Sequence, residues 1–368
     1  MPSGISNSDL LDLTRTTLQN LPNMKFEVAL EYQEYHVCNK WFQENKVQIE
    51  SGTSIERNVV LDTSGNARFV RLYEKVAVNV ADIQQKVTAP WVQVRTHWSI
   101  ERREALRNRA PARYIKLLQS RRMDATLDLA DLLERKAWAT PTSSADDLNP
   151  RGLPYYISMR EDGSSGQGFD GMRVRYGGGT SSTTKAGLDG NASGNSKWKN
   201  YAATYTAINA DFVKRLRRAF HATNFKSPRL AKDLEKGDAS NYCLYMGLDE
   251  LTEYEDLVTK SNDNLGRDLD PFHGNTTFKK VPIYYTPQLD DFTVLGGSAT
   301  SNTPDPVFGV NHKKFFPMVQ EGDWMREDEP MNDVEQNNVF TTIMDSSFQF
   351  FCGNVREGGF VMHKALTA

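Results

Sequence analysis

The chain has 368 residues, enough for two to three domains' worth of core, and carries 44 basic against 47 acidic residues, a formal net charge of −3. That balance argues against a surface that grips nucleic acid broadly, because such a surface needs a basic excess. A hydrophobic fraction of 39% and a mean hydropathy of −0.58 are slightly polar, as expected either of segments that other subunits bury or of long polar loops.

In chain order, the first expected element is a short amphipathic helix between Ser8 and Pro22, with Leu10, Leu11, Leu18 and Leu21 on one broad face. Residues from Lys46 to Val80 read as a long hairpin. Its outgoing arm holds Val47, Ile49, Val59, Val60 and Leu61, and its turn is Asp62-Thr63-Ser64-Gly65-Asn66. Its returning arm alternates through Phe69, Arg71 and Tyr73, then Val76, Val78 and Val80. At roughly 3.3 Å per residue such a ribbon reaches about 45 Å, and an isolated two-stranded ribbon is marginal in water, so it is expected to lean on neighbouring subunits.

The strongest helix runs from Pro111 to Trp138, since Pro111 suits a first turn and no Pro or Gly follows until Pro141. Ile115, Leu118, Met123, Leu127, Ala130, Leu133 and Ala137 form its apolar face, with Arg121, Asp124, Asp128, Asp131 and Arg135 opposite. A Gly/Ser-rich stretch from Asp162 to Ser196, with ten of the 25 glycines, reads as mobile loop. A second helix is expected from Asp211 to Thr223, capped by Asn209, with Phe212, Leu216, Ala219 and Phe220 inward. Strands follow at Phe278–Thr286, Val307–Val310, Phe315–Val319 and Thr341–Cys352. This order gives an α+β chain and not a wound α/β sheet.

Motifs that carry chemistry are weak. Gly166-Gln167-Gly168-Phe169-Asp170-Gly171 matches GxGxxG, but it neither follows a strand nor opens a helix, so a loop is the better reading. The six histidines show no metal-ligand spacing, and neither a GxSxG elbow nor a phosphate-binding loop occurs. Asp263, Asp268 and Asp270 beside Gly266 read as a polar turn. Cys38, Cys243 and Cys352 are too scattered for a disulfide framework or zinc site, and the first eight residues lack the charged and apolar regions of a secretory leader. Synthesis in a reducing cytoplasm is therefore expected, with no cofactor, no metal and no membrane span. A basic cluster from Arg102 to Arg122 and an acidic one from Glu321 to Glu335 are solvated faces or surfaces for attraction between subunits.

The sequence of parts resembles the major capsid proteins of tailed phages, the Hong-Kong-ninety-seven-type capsid fold also found in encapsulins. Local phrases carry the resemblance along the chain: Ser6-Asn7-Ser8-Asp9-Leu10-Leu11, Trp138-Ala139-Thr140-Pro141, Leu148-Asn149-Pro150-Arg151-Gly152-Leu153-Pro154-Tyr155, Asn262-Asp263-Asn264-Leu265-Gly266, Val281-Pro282-Ile283, Glu321-Gly322-Asp323-Trp324-Met325-Arg326-Glu327 and Phe348-Gln349-Phe350-Phe351-Cys352-Gly353-Asn354. The resemblance implies an N-terminal arm (1–40), an extended E-loop hairpin with its flanks (41–96), a spine helix in the peripheral domain (97–148), an axial domain (149–275) and a return to the peripheral domain through the C-terminal strands (276–368).

It further implies a structural protein without enzymatic activity. Such a chain forms hexamers and pentamers, builds an icosahedral shell around double-stranded DNA without sequence-specific binding, and resides in the virion after synthesis in the host cytoplasm. Some relatives cross-link a hairpin lysine to a neighbour's asparagine. This hairpin has no lysine between Lys46 and Lys75, only Arg57, Arg68 and Arg71, so non-covalent assembly is expected. The short arm implies a separate scaffolding protein, and a portal is expected too. Arg57, Arg68 and Arg71, with Glu327, Asp328 and Glu329 on a neighbour, are the candidate assembly contacts. An encapsulin-like compartment is the alternative, and an enzyme with a distributed site the distant one.

Overall fold

The computed structural model describes residues 35–43, 46–62, 65–72, 75, 83–107, 111–160, 166–224, 241–260, 276–279, 281–290, 304–332 and 338–364. The strands used below are β1 (Gln48–Glu50), β2 (Ser54–Val60), β3 (Gln84–Pro90), β4 (Val92–Glu101), β5 (Gln167–Gly171), β6 (Asn200–Tyr205) and β7 (Tyr242–Met246). They continue as β8 (Thr277–Phe278), β9 (Val281–Tyr285), β10 (Val307–Asn311), β11 (Phe315–Gln320), β12 (Arg326–Glu327), β13 (Met331–Asn332), β14 (Val339–Cys352) and β15 (Gly359–Lys364). The longer helices are α1 (Pro111–Ala137), α2 (Ala210–Ala222) and α3 (Leu248–Lys260).

Helix α1 forms as its lack of internal breakers predicts, and its 27 residues span about 40 Å at ~1.5 Å each. Its buried stripe is narrower than expected: Leu118, Ala125, Leu129, Leu133 and Ala137 are buried, while Met123, Leu127 and Ala130 are half-buried. The N-terminal half packs Leu118 and Ala125 on Trp98, Ile100 and Phe340, and the C-terminal half enters the main core. Beneath it lies a six-stranded sheet organised by β14. Strand β4 pairs antiparallel with β14 over ten residues, from Val92↔Phe348 to Glu101↔Val339. The other edge of β14 takes β11, β12 and β13 in succession.

A seven-stranded sheet in the order β8-β9-β7-β10-β15-β6-β5 carries α2. The α2 expectation holds in detail: Asn209 Oδ1 accepts from the Asp211 and Phe212 amides, and Phe212, Leu216, Ala219 and Phe220 are buried. Helix α3 was not foreseen. Its start is set by Asp290, whose Oδ1 accepts from the Leu248 amide at 2.9 Å. The four late strand expectations all recur within a few residues, with the first divided into β8 and β9.

Three expectations are corrected. The ribbon's returning strand is β3, paired with β2 from Ser54↔Pro90 to Val60↔Gln84. Residues 65–72 are not a strand, and Val76, Val78 and Val80 lie outside the described residues. The pairing follows burial: Ile55 on β2 and Val87 and Ala89 on β3 enter the main core together with Leu61. The ribbon's root is therefore held by its own chain. Val47 and Ile49 do not extend the ribbon either, since β1 pairs parallel with β11 in the six-stranded sheet.

The Gly/Ser-rich stretch is not simply a mobile loop. It holds β5 and two short two-stranded pairs, and it buries Val174, Tyr176, Lys185, Ala186 and Leu188. The N-terminal helix and the Asp263–Asp270 turn lie outside the described residues.

Candidate functional site

The ribbon presents the first candidate surface. Beyond the β2–β3 pairing, residues 65–72 present Phe69, Val70 and Leu72 as an exposed apolar group that finds no burial among the described residues. Among the six charged candidates, Arg57 Nη2 donates to Glu50 at 3.2 Å and Gln48 at 3.3 Å. Arg68 Nη2 donates to the Lys75 carbonyl at 2.8 Å, and Arg71 is exposed beside Val70 and Leu72. Glu327 accepts from Arg122 Nε of α1 at 2.6 Å. Part of the attraction expected between the basic start of the spine and the acidic late segment is thus satisfied inside one chain. Asp328 lies 3.6 Å from Arg326, and Glu329 is exposed.

A second candidate is the root of the N-terminal arm, the turn Val37–Trp41. Glu134 of α1 is fully buried there. It accepts from the Val37 amide at 2.8 Å and from Trp138 Nε1 at 3.1 Å. Burial pushes its carboxyl up to about 7, against the opposing pull of these donors and of Lys40. His36 Nε2 donates to the Tyr285 carbonyl at 2.6 Å and its Nδ1 accepts from Lys40 Nζ at 3.0 Å, which fixes a neutral ring. Trp41 Nε1 donates to Tyr245 Oη at 3.0 Å, and that hydroxyl is hydrogen-bonded to His312 Nε2 at 3.0 Å. Burial holds the His312 ring well below the usual imidazole range, so this chain of hydrogen bonds is neutral. The Trp41 and Trp138 rings lie 5.0 Å apart, which anchors the arm's root to the C-terminal end of the spine.

Lys185 is a third. Its ammonium is fully buried and donates to the carbonyls of Tyr156 and Gly171 and to Asn200 Oδ1, each at 2.9 Å. Burial pulls its pKa down to about 7, against the pull of three oxygen acceptors, one of which, Asn200 Oδ1, also accepts from the Ser158 amide and hydroxyl. Gly171, the last glycine of the GxGxxG match, has no room for a Cβ against Asn200 and the Ser158 carbonyl. That motif serves close packing of β5 on β6 around the lysine. Among the described residues no three His, Cys, Asp or Glu side chains gather as a metal set, and the three cysteines are free thiols.

No protein-family model and no curated protein matches the chain. Solved structures do. The cyanophage A-1(L) capsid aligns with a TM-score of 0.58 at 11% identity, covering 96% of this chain and 99% of that one. The cyanophage Pam1 capsid aligns at 0.53 and 13% identity, covering 95% and 97%, and the capsid of Myoviridae phage XM1 at 0.51 and 10%, covering 94% and 97%. This chain has the tailed-phage major capsid fold.

Within the capsid fold, β2 and β3 are the E-loop ribbon and α1 is the spine helix. The α+β expectation holds along nearly the whole chain. Sequence reasoning missed Glu134 and Lys185. Glu134 carried a readable signal, since an acid between Leu133 and Ala137 on the apolar stripe must find buried donors. Lys185 carried none, because its acceptors come from three distant segments.

Proposed function

We propose that this chain is a major capsid protein, which assembles as hexamers and pentamers into an icosahedral shell around packaged double-stranded DNA. The observation that carries the reading is the two-way coverage: nearly all of this chain and nearly all of the A-1(L) capsid chain are accounted for by one fold. The near-neutral charge suits a wall that encloses DNA without gripping it. The role is structural and not enzymatic. Copies of itself are the principal partner, with a separate scaffolding protein and a portal, and the protein resides in the virion after synthesis in the host cytoplasm. Domain limits are those the sequence suggested, with the axial domain at 149–275. Arg57, Arg68, Arg71, Glu327, Asp328 and Glu329 are proposed as inter-subunit contacts; Arg57, Arg68, Glu327 and Asp328 also have contacts in their own chain.

The test is light scattering and electron microscopy of the purified protein over a range of concentrations, alone and with a co-expressed scaffold. Closed particles with five- and six-fold vertices are expected, and nucleic-acid absorbance in native particles. A persistent monomer or dimer under all conditions overturns the reading. Particles filled with protein cargo and free of DNA overturn the packaging part of it.

A further inference from the structure

Resting on that reading, we propose that the exposed ridge of α2, formed by Lys214, Arg217, Arg218 and His221, is where the subunit touches the phosphate backbone of the packaged duplex.

The sequence places these residues at i, i+3, i+4 and i+7, on the side of α2 opposite the buried Phe212, Leu216, Ala219 and Phe220. All four are exposed. The acid of α2, Asp211, is taken by Arg215, whose Nε lies 2.6 Å from it and whose Nη1 donates to the Thr204 carbonyl at 2.8 Å. Lys214, Arg217 and Arg218 form no ion pair among the described residues. Elsewhere the chain pairs its arginines across elements, Arg95 with Asp345 at 2.7 Å and Arg122 with Glu327 and Arg160 with Asp170 at 2.6 Å.

Like charges one turn apart repel one another and weaken a helix. The helix dipole favours His221, in the last turn, but not three cations placed before it. The row is therefore unfavourable within its own helix and becomes favourable against an anion outside it.

The duplex fits that anion better than the acids of another copy do. In the late acidic segment Glu327 is held by Arg122, and Asp323 and Asp328 lie 3.4 and 3.6 Å from Arg326. On α3, Asp249, Glu253 and Asp256 are exposed, but α3 packs on the same buried cluster as α2. A neighbour that presented those carboxylates would bring its own basic row beside them. A duplex brings only negative charge, one for each ~1.7 Å of its axis. From Lys214 to His221 the ridge runs about 10 Å at ~1.5 Å per residue, enough to meet more than one phosphate. Three cationic contacts per subunit read no sequence, and they sit without conflict in a chain of net charge −3.

The experiment treats DNA-filled particles of the full-length protein with formaldehyde, then digests DNA and protein and locates nucleotide adducts by mass spectrometry. Lys214 is expected among the modified lysines, ahead of Lys86 and Lys313, which are exposed on other elements. Adducts confined to other lysines overturn the proposal while leaving the shell reading intact. A second arm measures duplex binding to unassembled subunits by fluorescence anisotropy. Affinity is expected to fall about forty-fold between about 50 and 200 mM salt for three phosphate contacts, and about three- to four-fold in the double variant Arg217→Gln, Arg218→Gln, which keeps one. Equal salt dependence in the two proteins overturns the proposal. So does a double variant that binds the duplex like wild type but no longer forms particles, since the ridge would then meet carboxylates of another copy. Failure of the wild-type protein to form DNA-filled particles overturns the shell reading itself and leaves the salt dependence of the subunits to be read separately.

Discussion

Glu134→Gln tests the arm-root contact through its pH dependence. Burial raises the Glu134 carboxyl from an ordinary value near 4.5 to about 7. At ~1.36 kcal/mol per unit this corresponds to about 3 kcal/mol, as an order of magnitude. Between pH 4.5 and 7 the folded state holds a proton that the unfolded state has released, so this group's contribution is full below pH 4.5 and falls as pH rises through 7. Glutamine cannot ionise, and the contribution vanishes. Its amide also presents an NH2 to one of two donors, the Val37 amide or Trp138 Nε1, and an unsatisfied buried N–H costs about 1–3 kcal/mol.

Other groups titrate nearby. Burial raises Glu250 to about 7 and lowers His363 to about 4. The quantity to read is therefore the difference between variant and wild type and not either curve alone. Urea unfolding of unassembled subunits at several pH values, followed by the fluorescence of Trp41 and Trp138, measures it. The expected result is a variant less stable by about 1–3 kcal/mol at pH 5, with that deficit shrinking or reversing by pH 8. Parallel curves from pH 4.5 to 8 would refute a buried, titrating Glu134.

Replacing residues 66–72 by a short Gly-Ser turn spares Ile55, Leu61, Val87 and Ala89, so subunit melting is expected to stay within a few degrees of wild type while sedimentable particles disappear. For Lys185, the folded value of about 7 lies below an ordinary value near 10.5, so its contribution to stability rises with pH between 7 and 10.5; Lys185→Met is expected to flatten that rise in denaturant titrations. Gly152 has no room for a Cβ against the carbonyl oxygens that end the spine helix at Ala137 and Ala139, and Gly152→Ala is expected to lower stability by about 1–3 kcal/mol in thermal melts. Assembled particles boiled in detergent without reductant are expected to run as one band near 41.6 kDa, because Cys243 and Cys352 are buried free thiols and the tip carries arginine where a cross-link needs lysine; a ladder of multimers would contradict this.

The spine helix and α2 were legible because their signals are local. An uninterrupted 3.6-residue pattern after Pro111 and an Asn209 cap with its apolar face bring about hydrogen bonds within four residues. The late strands were legible from their apolar runs, and the order of elements carried the fold class. The candidate surfaces were less so. Phe69–Val80 alternates as convincingly as Gln84–Pro90, and alternation reports only that a residue can lie on a pleat. The partner of β2 was decided by burial, since Val87 and Ala89 complete the core that Ile55 and Leu61 enter, whereas Phe69 is exposed. The pairing of β4 with β14 joins residues about 250 positions apart, and the cradle of Lys185 joins Tyr156, Gly171 and Asn200. Local periodicity determined the spine helix, α2 and the late strands of this protein; long-range burial, which no window of sequence contains, decided which other segments become strands, how the strands pair and which apolar residues are left facing outward.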